Sequence, residues 1–285
     1  MNNDSAAPRL DPALAEALAK VPAVTLGFWA IKILATTLGE TAGDAVSMSW
    51  LGETTESATG WGYLIGTGIF IVPLIILVYT QIRATKFHPL LYWSTIIAST
   101  TAGTTLADFF TRTLFTRTLG VDQNVSYALA SVALFACVMS TLLVWWRTLG
   151  TVSVATLREP RAEWFYWITI TFSQTLGTAL GDWTADSFGD TTFMGLEGGY
   201  VLGAVIFTGA LAVVGALTWT RVSRTALFWA AFILTRPLGA TVGDFLDKPI
   251  AKGGLDFSRP VATAALLAAI GLGLLVIPQR AGRAH

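Results

Sequence analysis

FWAIKILATTLGETAGDA, residues 28–45, decides the fold, because the chain writes it four times. The other copies are YWSTIIASTTAGTTLADF from Tyr92, YWITITFSQTLGTALGDW from Tyr166 and FWAAFILTRPLGATVGDF from Phe228. Each opens on an aromatic residue followed by a tryptophan: Trp29, Trp93, Trp167 and Trp229. Ten residues later stands a glycine (Gly39, Gly103, Gly177, Gly239), and four further on a small residue (Gly43, Ala107, Gly181, Gly243). An aspartate follows at once: Asp44, Asp108, Asp182 and Asp244. The copies align without a gap, the mark of a duplicated structural unit.

The unit is apolar and helical in pattern. Runs long enough to cross a bilayer (roughly 17–25 residues) occur near 25–47, 61–81, 90–111, 125–146, 164–185, 197–220, 225–246 and 260–278. They lack the strict alternation of a membrane β-barrel, and a membrane helix tolerates their Gly and Thr. The expected fold class is an all-α polytopic membrane protein. Eight transmembrane helices form four parallel two-helix hairpin repeats at about 23–85, 86–150, 160–222 and 223–278. The odd helices form the inner bundle. Residues 1–22 and 279–285 are expected as cytoplasmic ends, with a short capped surface helix at Asp11-Pro12. No apolar stretch follows a basic start, so no cleavable signal peptide is expected.

Composition agrees. Of 285 residues, 53% are hydrophobic and only 13% charged, about half the charged fraction usual for a soluble domain. This excludes a soluble enzyme, a disordered chain and a nucleic-acid binder. Cys137 is the one cysteine, and His88 and His285 the two histidines, so no thiolate or imidazole metal cluster is expected. Neither a nucleophilic triad nor a phosphate-binding loop is present, so no enzymatic activity and no cofactor are expected.

Basic residues give an orientation. Arg112, Arg117, Lys248, Lys252 and Arg259 fall in the loops after the odd runs, and Lys32 and Arg236 lie within runs. The other eleven of the 18 fall on the opposite side, which predicts both termini inside. Glu53, Glu56, Asp186, Asp190 and Glu197 make two outer loops locally acidic. They can draw cations to an outer mouth or be merely solvated.

The spacing puts residues in space. Fifteen residues carry a helix about 22 Å, so the aspartates share one depth toward the outer end. The tryptophans mark the inner interface as headgroup anchors. The paired small residues allow close helix approach, and Ala35, Ser99, Ser173 and Thr235 extend that face. Positions seven, eleven and fifteen after each Trp share another face. They read Thr36/Glu40/Asp44, Thr100/Thr104/Asp108, Gln174/Thr178/Asp182 and Arg236/Ala240/Asp244. Ionisable groups at membrane depth are costly and point to function, although aspartates near a span end can instead cap the following loop. Arg236 can bind a solute or pair internally with Glu40 or Asp244. Pro237 is expected to kink its helix, and Lys32 to snorkel to the inner surface.

These motifs resemble a bacterial membrane-protein family defined by a short repeat of unknown function, present four times. The resemblance covers residues 22–278 and implies a bacterial inner-membrane protein, but brings no activity with it. The Gly-Asp ending is also similar, in part, to cation exchangers carrying paired Glu-x-Gly-Asp-Lys/Arg-Thr motifs. Glu40-Thr-Ala-Gly-Asp44 is spaced differently, the other copies lack the glutamate, and no Lys or Arg directly follows the aspartate.

The expected function is transport of a small hard cation coupled to protons. Carboxylates and Thr hydroxyls offer only oxygen ligands, which suit Mn, Mg, Ca or Na ions. The partners are then the lipid bilayer and a small ion. The alternatives are a transporter of an anionic or organic solute held by Arg236, and a membrane scaffold without transport.

Overall fold

The computed structural model describes residues 20–154, 157, 159–193 and 196–282. The capped helix expected at Asp11-Pro12 lies outside these residues. Among these residues, eight long helices fall on the eight apolar runs. They are α1 (Leu26–Asp44), α2 (Trp61–Arg83), α3 (Pro89–Asp108), α4 (Gln123–Leu149), α5 (Pro160–Ser187), α6 (Gly199–Ala216), α7 (Arg224–Asp247) and α8 (Arg259–Val276). A two-residue hairpin, Thr192–Phe193 with Leu196–Glu197, precedes α6. Helix α7 runs unbroken through Pro237.

The odd helices close a ring. α1 packs on α3, α3 on α5, α5 on α7, and α7 back on α1. The even helices stand outside it, each placed against the first helix of the next repeat: α2 on α3, α4 on α5, α6 on α7, and α8 around the circle on α1. Every hairpin therefore straddles two units, and the last hairpin completes the first. The chain ends meet accordingly. Ala23 N donates to Arg280 O at 2.9 Å and Gly282 N to Val21 O at 2.8 Å.

The repeat spacing explains the ring. At Gly39 a Cβ would stand 2.1 Å from Thr100 Oγ1, and at Gly177 2.1 Å from Arg236 Cγ. Gly103 meets Gln174 and Gly239 meets Thr36 in the same way. The glycine of each repeat thus receives the position-seven residue of the next, and only a missing side chain allows helices this close. Thr100 Oγ1 donates to Ala35 O at 3.2 Å and Thr36 Oγ1 to Thr235 O at 3.1 Å across the same seams.

The result is polar inside and apolar outside. Among the described residues, α2, α4, α6, α7 and α8 are long and apolar enough to cross a membrane. The remaining three, α1, α3 and α5, carry the buried stripes of Thr, Ser, Gln and carboxylate side chains. Ile65, Ile75 and Ile76 on α2, and Leu272 and Leu275 on α8, face outward instead. Such an exterior would be a liability in water and suits hydrocarbon.

The tryptophan expectation needs correction. Trp93, Trp167 and Trp229 are buried, and Trp29 is half-buried. Each repeat's leading aromatic ring touches the tryptophan of the next repeat. Ring centroids lie 5.6 Å apart for Phe28–Trp93, 5.8 Å for Tyr92–Trp167, 6.1 Å for Tyr166–Trp229 and 5.9 Å for Phe228–Trp29. The aromatic pair is a closed girdle across one end of the ring, not a set of headgroup anchors. Tilted and edge-on ring contacts of this kind are favourable beyond the area they bury. The exposed tryptophans are Trp146, Trp164 and Trp219 at the girdle end, and Trp50 and Trp61 at the other.

Candidate functional site

The polar stripes converge on the ring axis as stacked layers. Nearest the girdle, Lys32, Ile96, Ile170 and Phe232 stand three residues after their tryptophans and are all fully buried. Lys32 does not snorkel. Its Nζ sits 4.2 Å from the centre of the Phe232 ring and makes no hydrogen bond among the described residues. The girdle and the neighbouring side chains hold the amine inside, against the face of the Phe232 ring.

The next layer is Thr36, Thr100, Gln174 and Arg236, each 0% exposed. Among the described residues, Gln174 Oε1 and Nε2 have no hydrogen-bond partner. The Arg236 guanidinium reaches one layer further. Its Nη1 donates to Glu40 Oε2 at 3.0 Å, and its Nη2 to Thr104 Oγ1 and Thr178 Oγ1, both at 2.5 Å. Glu40 Oε2 is also 3.4 Å from Thr104 Oγ1 and 3.3 Å from Thr178 Oγ1. Arg236, Glu40, Thr104 and Thr178 thus join all four inner helices in one knot on the axis. Of the two internal partners weighed for Arg236, Glu40 is the one it pairs with.

Beyond this knot lie the aspartates, between 0 and 6% exposed. The bundle brings them together and pairs them through two cations. Arg112 Nε contacts Asp108 Oδ1 at 2.6 Å and its Nη2 contacts Asp182 Oδ2 at 3.3 Å. Lys248 Nζ contacts Asp44 Oδ2, and lies 2.8 Å from Asp244 Oδ1. Asp247, also buried, stands 3.7 Å from Lys248 Nζ and 3.7 Å from Arg259 Nε. Burial opposes the charge on Lys248, but Asp244, Asp44 and Asp247 outweigh it and hold the ammonium well above the ordinary lysine range. Among the described residues, none of the four repeat aspartates caps a loop backbone. The hydrogen bonds of the loops go elsewhere, as where Gly60 N and Gly62 N donate to Glu53 at 2.7 and 2.6 Å. Glu53 is therefore a structural carboxylate of its loop.

Sequence reasoning missed the two bridging cations by placing them in outer loops. The available signal was their spacing. Arg112 and Lys248 each stand four residues after the aspartate of repeats two and four, where repeats one and three have Met48 and Asp186. An i, i+4 pair shares a helix face, and in each case the cation also reaches the aspartate of the next repeat. In the first two repeats the helix widens into π-helical turns directly after the aspartate, over Ala45–Trp50 and Phe109–Thr118. The second of these carries Arg112. Such turns are uncommon and gather at functional sites.

One group of carboxylates fits a metal ion. Ligand oxygens of Glu40, Asp44 and Asp244, all buried, lie within 4.8 Å of one another. Oxygen donors alone suit hard cations, and Asp44 Oδ1 is buried without a hydrogen-bond partner among the described residues. Thr36 and Thr100 give their hydroxyls to helix carbonyls, so they serve the seams more directly than the site. Gly43, Gly181 and Gly243 pack against Thr104, Ala240 and Glu40 of the following repeat. Ala107, equally buried, holds the corresponding place in the second repeat.

A family model described as "Repeat of Unknown Function (DUF347)" matches the chain four times, at residues 27–87, 91–151, 165–225 and 227–280. These matches take in most of the sequence, and the chain belongs to that family. No curated protein and no solved structure matches it.

Proposed function

We propose that this chain is an integral membrane transporter that exports a small hard cation in exchange for protons. In this reading all eight helices span the bacterial inner membrane, with the girdle and both chain ends on the cytoplasmic side. The observation that carries it is the convergence of Glu40, Asp44, Asp108, Asp182 and Asp244 into one buried carboxylate region on the bundle axis. A purely structural bundle has little use for five acids there, because each must be compensated against desolvation. A buried carboxylate that loses its cation is neutralised by a proton, and this couples ion release to proton uptake.

The orientation follows the excess of basic residues on the girdle side. It gains support from the exceptions, since Arg112, Lys248 and Arg259 on the outer side are paired with aspartates rather than free. The aromatic girdle then serves as the inner closure, and the polar column above it as the ion's resting place. A transporter of anionic solutes needs Arg236 available, whereas its guanidinium is taken up by Glu40, Thr104 and Thr178. A scaffold reading needs the aspartates as loop caps, and they pair with Arg112 and Lys248 instead.

The test is cation flux in vesicles reconstituted with the purified chain, using Mn²⁺ and Ca²⁺ as probes under an imposed pH gradient. The reading expects flux above empty vesicles, and at least a tenfold loss for Asp44→Asn and Asp244→Asn. Flux equal to empty vesicles, or unchanged by both substitutions, overturns it.

A further inference from the structure

The two cations that bridge the aspartates are not equivalent. Arg112 lies between two carboxylates, Asp108 and Asp182, and addresses them with different nitrogens of one planar fork. A guanidinium in that position is a fixed link, because its geometry matches carboxylates and its charge is permanent. Lys248 has a different setting. Its single ammonium stands among three carboxylates, those of Asp44, Asp244 and Asp247, with a fourth, Glu40, beside the first two. Its stem is flexible, and it begins just past the last residue of α7.

Charge decides what else fits there. Asp44, Asp244 and Asp247 contribute three negative charges, against which stand Lys248 and, through Asp247, Arg259. Glu40 is compensated separately by Arg236. With the Lys248 ammonium withdrawn, the three carboxylates and Arg259 leave two uncompensated negative charges, which is the charge of one divalent cation. The ligands are oxygens held within 4.8 Å of one another. Asp44 Oδ1, on a side chain with no exposure, still has no donor among the described residues. An ammonium contacts the pocket as a point charge and leaves this lone pair unused, whereas a divalent ion with six to eight oxygen ligands can take it.

We propose that Glu40, Asp44 and Asp244 form a binding site for one hard divalent cation, and that Lys248 is its tethered competitor, filling the site with its ammonium until the ion displaces it. This inference rests on the cation reading given above and sharpens it in two respects. It assigns the ion to the α1–α7 side of the ring and leaves the Arg112 side as structure. It also makes the affinity a balance between the ion and a side chain of the protein itself: as the ion leaves, the returning lysine meets one of the two negative charges and a proton the other.

Mn²⁺ binding to the full chain in detergent tests this, with free Mn²⁺ read by electron paramagnetic resonance. Lys248→Met keeps the stem and removes the charge. It is expected to tighten the Kd for Mn²⁺ at least tenfold over the wild-type chain. Adding Asp44→Asn to Lys248→Met should weaken binding at least tenfold again. Lys248→Gln serves as a second variant should the methionine form fail to elute as a folded species. A Lys248→Met or Lys248→Gln protein that binds no tighter than wild type overturns the proposal, as does a Lys248→Met/Asp44→Asn protein that binds as tightly as Lys248→Met alone. The two readings fail differently. Vesicle flux without any gain on removing Lys248 sinks the competitor and spares the transporter. A gain in binding with no flux in any vesicle does the reverse.

Discussion

Arg236 Nη1 lies 3.0 Å from Glu40 Oε2, joining α7 to α1 at a point where the arginine has no exposure and the glutamate only 2%. The two residues sit 196 positions apart in sequence. Their pairing fixes how the last repeat meets the first, and it draws Thr104 of α3 and Thr178 of α5 into the same knot.

Removing one member of that pair leaves the other as a buried charge without a partner. Glu40→Met or Arg236→Met should each destabilise the chain by about 3–5 kcal/mol, read as a fall in thermal midpoint in detergent. The double replacement Glu40→Met/Arg236→Met removes both charges and should recover most of the loss. Additive losses in the double variant contradict an interaction between the two.

The glycine seams make a second prediction. Gly177→Ala places a Cβ 2.1 Å from Arg236 Cγ, and Gly39→Ala places one 2.1 Å from Thr100 Oγ1. Each should cost about 1–3 kcal/mol by overpacking. Gly68→Ala on the outward-facing helix α2 meets nothing within 4 Å and should leave the midpoint where it is.

Two hydroxyls in the girdle give a third. Tyr92 Oη and Tyr166 Oη lie 2.7 Å apart and both side chains are buried. Tyr92→Phe strands the other hydroxyl and should cost about 1–3 kcal/mol. The double change Tyr92→Phe/Tyr166→Phe strands nothing. It also makes these two places match Phe28 and Phe228, so its midpoint should lie nearer to wild type than that of Tyr92→Phe. A double variant less stable than either single one argues against this pairing.

Tryptophan exposure supplies a fourth. Trp219 is 88% exposed, whereas Trp167 is 3% exposed. In vesicles, single-tryptophan forms retaining Trp219 should be quenched by lipids brominated near the headgroup, and those retaining Trp167 should resist both these lipids and aqueous acrylamide. Equal quenching of the two would contradict the girdle.

The repeat was legible in the sequence because a duplicated unit needs no neighbour to be recognised: Trp, Gly and Asp recur at fixed spacing within one helix. The inner ring was legible for a related reason, since small and polar positions four apart mark buried faces on any helix. What stayed hidden depends on which helix meets which. Trp93 reads as an interface anchor until the ring sets it against Phe28 of the preceding repeat. Lys32 reads as snorkelling until Phe232 closes over it. Arg112 and Lys248 lie past the ends of their apolar runs, and only the pairing of neighbouring repeats turns them inward to a second aspartate.

The central claim is that the axial carboxylates exchange a cation for protons. Its most direct test follows Mn²⁺ entry and internal pH together, in one preparation of vesicles enclosing a pH dye. The account predicts that an imposed Mn²⁺ gradient drives proton movement in the opposite direction, and that Asp44→Asn abolishes both signals at once. An Mn²⁺ gradient that moves no protons through the wild-type chain, or signals that persist in the variant, would contradict it.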